Sequence, residues 1–179
     1  MKLLLAFCRF VDSLNHKLGL VANWLVLIAC VISAGNALIR YGFNTSSNAW
    51  LEIQWYLFAG MVMLGASYTL QRNEHVRVDI VYTQLSERAK EWLDLLGTIC
   101  FLIPSCLLIA WLSWPFFYES WHIQEISGNA GGLLRWPVKI LLPIGFVLVA
   151  LQGVSEIIKR IAALRGYVRF ESHYERPVQ

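Results

Sequence analysis

The stretch LGLVANWLVLIACVISAGNALI, residues 18–39, carries no charged side chain over its whole length. An α-helix rises about 1.5 Å per residue, so about 20 apolar residues cross the roughly 30 Å hydrocarbon core of a bilayer. The whole chain has a matching composition, with 57% hydrophobic and 15% charged residues among 179. That leaves too little polar surface for an ordinary soluble domain. The stretch therefore predicts a membrane-spanning helix.

Three further apolar stretches have similar length, at residues 51–70, 92–114 and 137–158. They are continuously apolar, whereas the strands of a membrane barrel alternate lipid-facing and lumen-facing residues over about ten positions. We therefore predict an all-α integral membrane protein with four transmembrane helices. The predicted organisation is a single membrane domain over residues 1–179, which ends in a cytoplasmic tail at 159–179.

Two other segments have the pattern of amphipathic helices that lie along a membrane surface. In residues 1–17, four apolar side chains share one helical face: Leu4, Phe7, Val11 and Leu14. In residues 76–91, apolar side chains recur at helical spacing while charged ones lie largely on the other side. Helices of this kind bury one face at the boundary of headgroups and acyl chains. We predict an interfacial helix in each segment.

The positive charges predict the orientation. Residues 1–17, 71–91 and 159–179 together hold 12 of the 15 lysines and arginines. Loops rich in Lys and Arg remain in the cytoplasm. Both termini and the connection between the second and third spans of this multi-pass protein are therefore predicted to be cytoplasmic.

The middle of each predicted span is free of ionisable groups, since the four that occur lie within about a turn of a span end: Glu52, Asp94, Lys139 and Glu156. Proteins that move ions or protons usually keep such groups deep in their helices. All four histidines lie outside the spans, which removes the axial ligands that a membrane haem would need. We therefore predict no catalytic, substrate-binding or metal-binding residue, no cofactor and no enzymatic activity.

Arg40 ends the first span and Glu52 begins the second, at the same membrane face. An ion pair between them would clamp the first helical hairpin. Alternatively, each charge reaches the headgroups independently. The same face carries the long loop 115–136, whose aromatic side chains are typical of an interfacial belt and which could also contact an extracytoplasmic protein.

The stretch TLQRNEHVRVDIVY, residues 69–82, contains His75 and Asp79 four residues apart, with Glu74 adjacent. On a helix these side chains could form part of a metal site. Two ligands at one spacing, with no further His or Cys nearby, favour the other interpretation, in which the stretch leads into the interfacial helix.

Several of these residues, in order and spacing, also resemble those of one protein family. The matching residues lie in two stretches, NALIRYGF and WLEIQWYLFAGMVMLGASYTLQRNEHVRVDIVY. They are Asn36, Arg40, Trp50, Glu52, Gly65, Ala66, Arg72, His75, Val76, Arg77, Val78 and Asp79. This set resembles the DctQ-type small membrane subunit of tripartite ATP-independent periplasmic (TRAP) transporters, over about residues 18–165.

The resemblance implies a multi-pass protein of a bacterial inner membrane with a supporting role. In that family a periplasmic protein captures an organic acid, a large membrane subunit carries it with sodium, and the small subunit is part of the static scaffold. The implied partners are the large subunit, the solute-binding protein with possible contact through 115–136, and phospholipid, but no nucleic acid. Sodium coupling would belong to the large subunit.

The candidates for structural or interface roles are Asn36, Arg40, Trp50, Glu52, Trp55, Arg72, His75, Arg77 and Asp79. Trp55 joins them because it lies a turn inside the second span, where its ring could pack on a neighbouring helix or on lipid. The alternative function is a membrane anchor subunit of a respiratory or other enzyme complex, which also needs only a helical bundle and an adhesive face.

Overall fold

The computed structural model describes residues 2–45, 47–75 and 84–164. Within these ranges the regular elements are helical, apart from one isolated antiparallel bridge between Ile126 and Leu134. The helices are α1 (Lys2–Phe43), α2 (Asn48–Gln71), α3 (Glu87–Gly97), a π-helical turn (Thr98–Leu102), α4 (Ile103–His122), α5 (Trp136–Lys139) and α6 (Leu141–Leu164). The predicted all-α class is confirmed for the described part of the chain.

Three helical stretches are long and apolar enough to cross a membrane, Lys2–Phe43, Arg88–His122 and Trp136–Leu164. The second of these joins α3, the π-helical turn and α4 into one rod, and the third joins α5 and α6. They correspond to the predicted first, third and fourth spans. The predicted second span corresponds to α2, which has 24 residues but a less apolar composition.

The separate interfacial helix predicted at residues 1–17 is wrong, because α1 runs without interruption from Lys2 to Phe43. Gly19 lies where a break could occur, but it marks a close helix contact. A Cβ atom at this position would lie 2.6 Å from Cγ of Tyr68 on α2. On the predicted apolar face, Leu4 and Phe7 are exposed, whereas Val11 is buried.

The first half of the interfacial helix predicted at 76–91 lies outside the described residues, which resume at Gln84. Residues from Glu87 onward belong to the rod formed by α3, the π-helical turn and α4. The hydroxyl of Ser86 caps its start by accepting a hydrogen bond from the N–H of Ala89, at 3.3 Å. In the predicted tail at 159–179, residues up to Leu164 are helical and belong to α6, and the residues beyond it lie outside the described chain.

The π-helical turn has a local cause in the sequence. Pro104 has no N–H to donate to the carbonyl four residues earlier, so the α-helical ladder is interrupted there. The N–H of Ile103 instead donates to the carbonyl of Thr98, five residues back. The widened turn packs on Gly153 of α6, where a Cβ atom would lie 2.9 Å from Cδ2 of Leu102.

Helix α6 is the central element, because it packs against α1, α2 and α4. It contains more buried residues than any other described helix. Its contact with α2 is tightest at Gly145, where a Cβ atom would lie 2.8 Å from Cβ of Met63 and 3.0 Å from the Met63 carbonyl oxygen. The helices approach closely because this glycine has no side chain.

We expect Gly145→Ala to lower the melting temperature of the purified protein in detergent. Alanine favours a helix over glycine by about 1 kcal/mol, but overpacking costs about 1–3 kcal/mol, and a backbone oxygen cannot turn away. The matched control is Gly35→Ala on α1, where a Cβ atom would meet nothing within 4 Å. This change should leave the melting temperature unchanged or raise it. Equal increases in both variants would contradict the tight contact.

Candidate functional site

The loop end of the bundle, where α1 and α4 end and α2 and α5 begin, contains a buried carboxylate. Glu52 lies in the first turns of α2 and is only 3% exposed. One carboxylate oxygen accepts hydrogen bonds from the hydroxyl of Ser127 and from Nδ2 of Asn129, the latter at 2.7 Å. The other oxygen accepts from the backbone N–H of Leu133, also at 2.7 Å. A single α2 side chain thus fixes three points of the segment that follows α4.

That segment, residues 123–135, is folded into a compact hairpin-like loop. The N–H of Ser127 donates to the carbonyl of Leu133 at 2.9 Å, and the N–H of Arg135 donates to that of Glu125 at 2.8 Å. At its tip Gly131 has a φ of +70°, a conformation that glycine adopts without steric cost. The loop therefore presents the hydroxyl, amide and N–H donors to Glu52 as a preformed group.

Two further side chains of α2 hold the same loop from outside. The hydroxyl of Tyr56 donates to the carbonyl of Leu134 at 3.0 Å, and Nδ2 of Asn48 donates to that of Ala130 at 3.2 Å. We call the contacts of Asn48, Glu52 and Tyr56 with residues 123–135 the loop clamp. It connects α2 to the α4–α5 connection without using any backbone contact of α2.

An ion-pair group closes the base of the loop. Glu125 binds the ammonium of Lys139, and its other oxygen lies 3.5 Å from a guanidinium nitrogen of Arg135. The Lys139 ammonium holds the pKa of the Glu125 carboxyl below its ordinary value. Because Lys139 is on α5, this group fixes the point where the loop joins the last helical stretch.

Beside the clamp, a cleft of about 410 Å³ lies between α2 and α4. We call it the α2–α4 cleft. The residues that line it are Glu52, Trp55, Tyr56, Phe116, Ser127, Asn129, Arg135, Val138, Lys139 and Leu142. Its volume is within the range of about 300–1,000 Å³ that is typical of small-molecule sites. The cleft combines apolar walls with cations at its rim.

A second polar cluster joins α1 to α6 at the opposite end of the bundle. Nδ2 of Asn15 donates to Oε1 of Gln152 at 2.6 Å, and both side chains are fully buried. The ammonium of Lys159 lies 2.7 Å from Asp12 and 2.9 Å from Glu156. We call these five residues the α1–α6 polar cluster. It fastens the first part of α1 to the last turns of α6.

The same end of α6 also holds α3, the start of the rod that α3 and α4 form. A guanidinium nitrogen of Arg160 lies 2.8 Å from Glu91 and 2.9 Å from Asp94, both on α3. Arg160 is only 7% exposed, and breaking a buried ion pair costs about 3–5 kcal/mol because one charge is then left uncompensated. Side chains of adjacent residues of α6, Lys159 and Arg160, therefore hold two different neighbouring helices.

The predicted site residues have different environments. Asn36 and Glu52 are buried, whereas Arg40, Trp50 and Trp55 are exposed. Of the two interpretations left open for Arg40 and Glu52, the ion pair is wrong, because the loop 123–135 supplies three donors to the carboxylate and Arg40 lies at the surface. Only Glu52 among these residues sits in a built hydrogen-bonded site.

The candidates after α2 have fewer described contacts. Arg72 forms an exposed ion pair with Glu74, at 3.4 Å, and His75 is exposed. Arg77 and Asp79 lie outside the described residues, so the roles predicted for them stay predictions. Within residues 2–45, 47–75 and 84–164, no three His, Cys, Asp or Glu side chains are grouped as a metal site.

Sequence reasoning missed the clamp partners and the polar cluster. Ser127 and Asn129 belong to the glycine-rich stretch SGNAGG, whose composition predicts a turn. Its contact with Glu52 could not be predicted, because the two are distant in sequence. Asp12 and Asn15 were assigned to a surface helix. The spacing of Gln152, Glu156 and Lys159, one turn apart, was the available signal of a polar stripe on α6.

These features define a class: a bundle of long apolar helices with polar clusters confined to its two ends is a multi-pass helical membrane protein. The family described as "Tripartite ATP-independent periplasmic transporters, DctQ component" matches residues 29–163. The chain belongs to this family of transporter small permease subunits, which are not enzymes, and it is thus a protein of the inner membrane.

Two relatives were compared. The chain is 32% identical over 118 residues to the C4-dicarboxylate TRAP transporter small permease protein DctQ of Vibrio cholerae, which covers 64% of this chain and 50% of that protein. It therefore spans about half of that relative's length. It is 29% identical over 121 residues to a Haemophilus influenzae protein with the provisional name TRAP transporter small permease protein, which covers 67% of this chain and 74% of that one. No solved structure matches the chain.

We expect Glu52→Gln to loosen the loop clamp. The substitution replaces one accepting oxygen by an amide donor, which then faces another donor of the loop. The melting temperature should fall by at least about 2–4 °C, and residues 123–135 should become susceptible to added protease. The control is Glu119→Gln on exposed α4 surface at the same end. Equal behaviour of the two variants would contradict the clamp.

The contribution of Glu125 should depend on pH. Its carboxyl has a lowered pKa in the folded chain, so its stabilising effect is complete above the ordinary value of about 4.3 and is lost as pH falls through the lowered value. The melting temperature of Glu125→Gln should therefore be below that of the wild type at pH 7 and should approach it near pH 3. A constant difference across this range would show that the ion pair is not responsible.

Proposed function

We propose that this chain is the small, static scaffold subunit of a sodium-coupled TRAP transporter that imports organic acids. The observation that carries the proposal is the family match over residues 29–163. The name of the Vibrio relative, which refers to C4-dicarboxylates, supports the substrate class. In this role the chain needs no cofactor, and sodium coupling and substrate binding belong to the large membrane subunit, its principal partner.

The proposed topology has four spans, with α2 as the second. Its 24 residues extend about 36 Å, enough to cross the hydrocarbon core. Both termini are cytoplasmic, as the distribution of Lys and Arg favours. The loop clamp then lies on the periplasmic side and the α1–α6 polar cluster on the cytoplasmic side. The whole chain forms one membrane domain, with phospholipid around it.

A scaffold must hold its shape while a mobile domain moves against it. The described contacts favour a fixed shape, because polar anchors at both ends join α1, α2, α3 and the loop 123–135 to their neighbours. On the periplasmic side, Ile123 and Ile126 of the loop are exposed at 57% and 64%, and offer an apolar surface to a solute-binding protein. The clamp would hold that surface in place.

The test begins with co-expression of this chain and its large TRAP subunit, followed by affinity purification. Uptake of labelled succinate and other organic acids into vesicles is then measured. We expect a stable complex, and uptake that requires the solute-binding protein, a sodium gradient and this chain. Vesicles with the large subunit alone should be inactive. Full uptake without this chain, or failure of the two chains to purify together, would contradict the scaffold role.

The topology is checked in the same cells with a membrane-impermeant maleimide. In a variant whose four cysteines are replaced by serine, Gly128→Cys in the loop should be labelled on intact cells and Gln84→Cys only after lysis. Both positions are exposed, so accessibility is matched. The reverse pattern would overturn the proposed orientation. Labelling of both positions on intact cells would overturn the single span, formed by α3, the π-helical turn and α4, that is proposed to lie between them.

A further inference from the structure

The α2–α4 cleft has the form of a lateral groove in an apolar surface. Helices α2 and α4 both pack on α6 but make little contact with each other. Trp55 of α2 and Phe116 of α4, exposed at 66% and 52%, form the two walls. Val138 and Leu142 of the last helical stretch contribute to the floor. The cleft is therefore open to whatever surrounds the bundle, and its lining is mostly apolar.

The rim of the cleft at the loop end is cationic. Arg135 and Lys139 both line it, and they share the single carboxylate of Glu125. The Arg135 side chain is 45% exposed, and its contact with Glu125 is the longer of the two. A guanidinium has five N–H donors in a planar fork, so most of the donors of Arg135 remain for a ligand.

The acidic residue in the cleft does not cancel this charge at the rim. Glu52 also lines the cleft, but it is 3% exposed and both of its oxygens accept hydrogen bonds from the loop. Lys139 is held in place by Glu125 and lies 4.0 Å from the centre of the Phe116 ring. The exposed cation of the cleft is thus the guanidinium of Arg135, and it shares the lining with the apolar side chains of Trp55 and Phe116.

We propose that this cleft binds one membrane phospholipid, with its phosphate on Arg135 and an acyl chain between Trp55 and Phe116. Arginine and phosphate match in charge and in bidentate geometry. The groove below has the apolar character that an acyl chain requires. The inference rests on the proposed function in one respect: α2 must cross the membrane, so that the walls lie in hydrocarbon and Arg135 at headgroup level.

The experiment is native mass spectrometry of the purified full chain, alone and with the large subunit, during titration with dioleoyl phosphatidylglycerol. We expect one saturable lipid adduct. Arg135→Gln removes the charge and should weaken this binding about tenfold, which corresponds to about 1.4 kcal/mol. The matched control is Arg40→Gln, an exposed arginine at the same end that does not line the cleft. It should bind lipid like the wild type.

Two further measurements distinguish a phospholipid from a neutral lipid and from free phosphate. Dioleoylglycerol, which lacks the phosphate, should bind weakly, and inorganic phosphate should not displace the phospholipid. Leu142→Trp fills the floor without a change in charge and should also weaken binding, which guards against misfolding of the arginine variant. Equal loss in the Arg40 and Arg135 variants, equal binding of the neutral lipid, or displacement by inorganic phosphate would overturn the proposal.

The complex decides between a lipid and a protein occupant. Binding by the chain alone that disappears when the large subunit is present would show that the partner fills the cleft, and would overturn the proposal. If the chain shows no saturable lipid binding but still co-purifies with the large subunit and supports uptake, only this inference is rejected. Failure of the scaffold role would appear instead as uptake that does not need this chain.

Discussion

The buried carboxylate of Glu52 sets the arrangement of the loop end. A polar group buried without a partner costs about 1–3 kcal/mol, and a charged one costs more, so this side chain is compatible only with a structure that surrounds it with donors. The loop 123–135 provides them through Ser127, Asn129 and the N–H of Leu133. The loop in turn fixes where α4 ends and α5 begins. One ionised side chain thus determines the relation of α2 to the last two helical stretches.

The same reasoning applies at the other end, where the polar groups lie on α6 itself. Gln152 and Lys159 reach α1, and Arg160 reaches α3. Helix α6 also relies on shape, because at Gly145 and Gly153 a neighbouring element comes so close that a Cβ atom would lie within 3 Å of it. Small residues allow such approach in membrane helices, where apolar contact alone gives little preference for protein over lipid.

The sequence was sufficient for the helical class and for three of the predicted spans, because continuous apolar runs leave few alternatives in a membrane protein. It was insufficient where a residue's partner is distant in sequence. Glu52 was identified as a candidate, but its partner was not. Arg40 is the nearest cation along the chain, so sequence distance favoured it over Ser127, which lies 75 residues away. The separate helix at 1–17 failed for a related reason, since its pattern is amphipathic and only the packing on α6 shows that Asn15 faces protein.

The separation of polar and apolar contacts has a consequence for a scaffold. Polar anchors are directional, so they fix the helices against rotation and sliding, whereas apolar faces pack on many partners with little preference. With its own anchors confined to the two ends, the chain leaves the exposed flanks of α1 and α4 apolar over most of their length. Such flanks can meet lipid or a larger subunit without disturbing the internal hydrogen bonds. These internal anchors suit the static scaffold role proposed above.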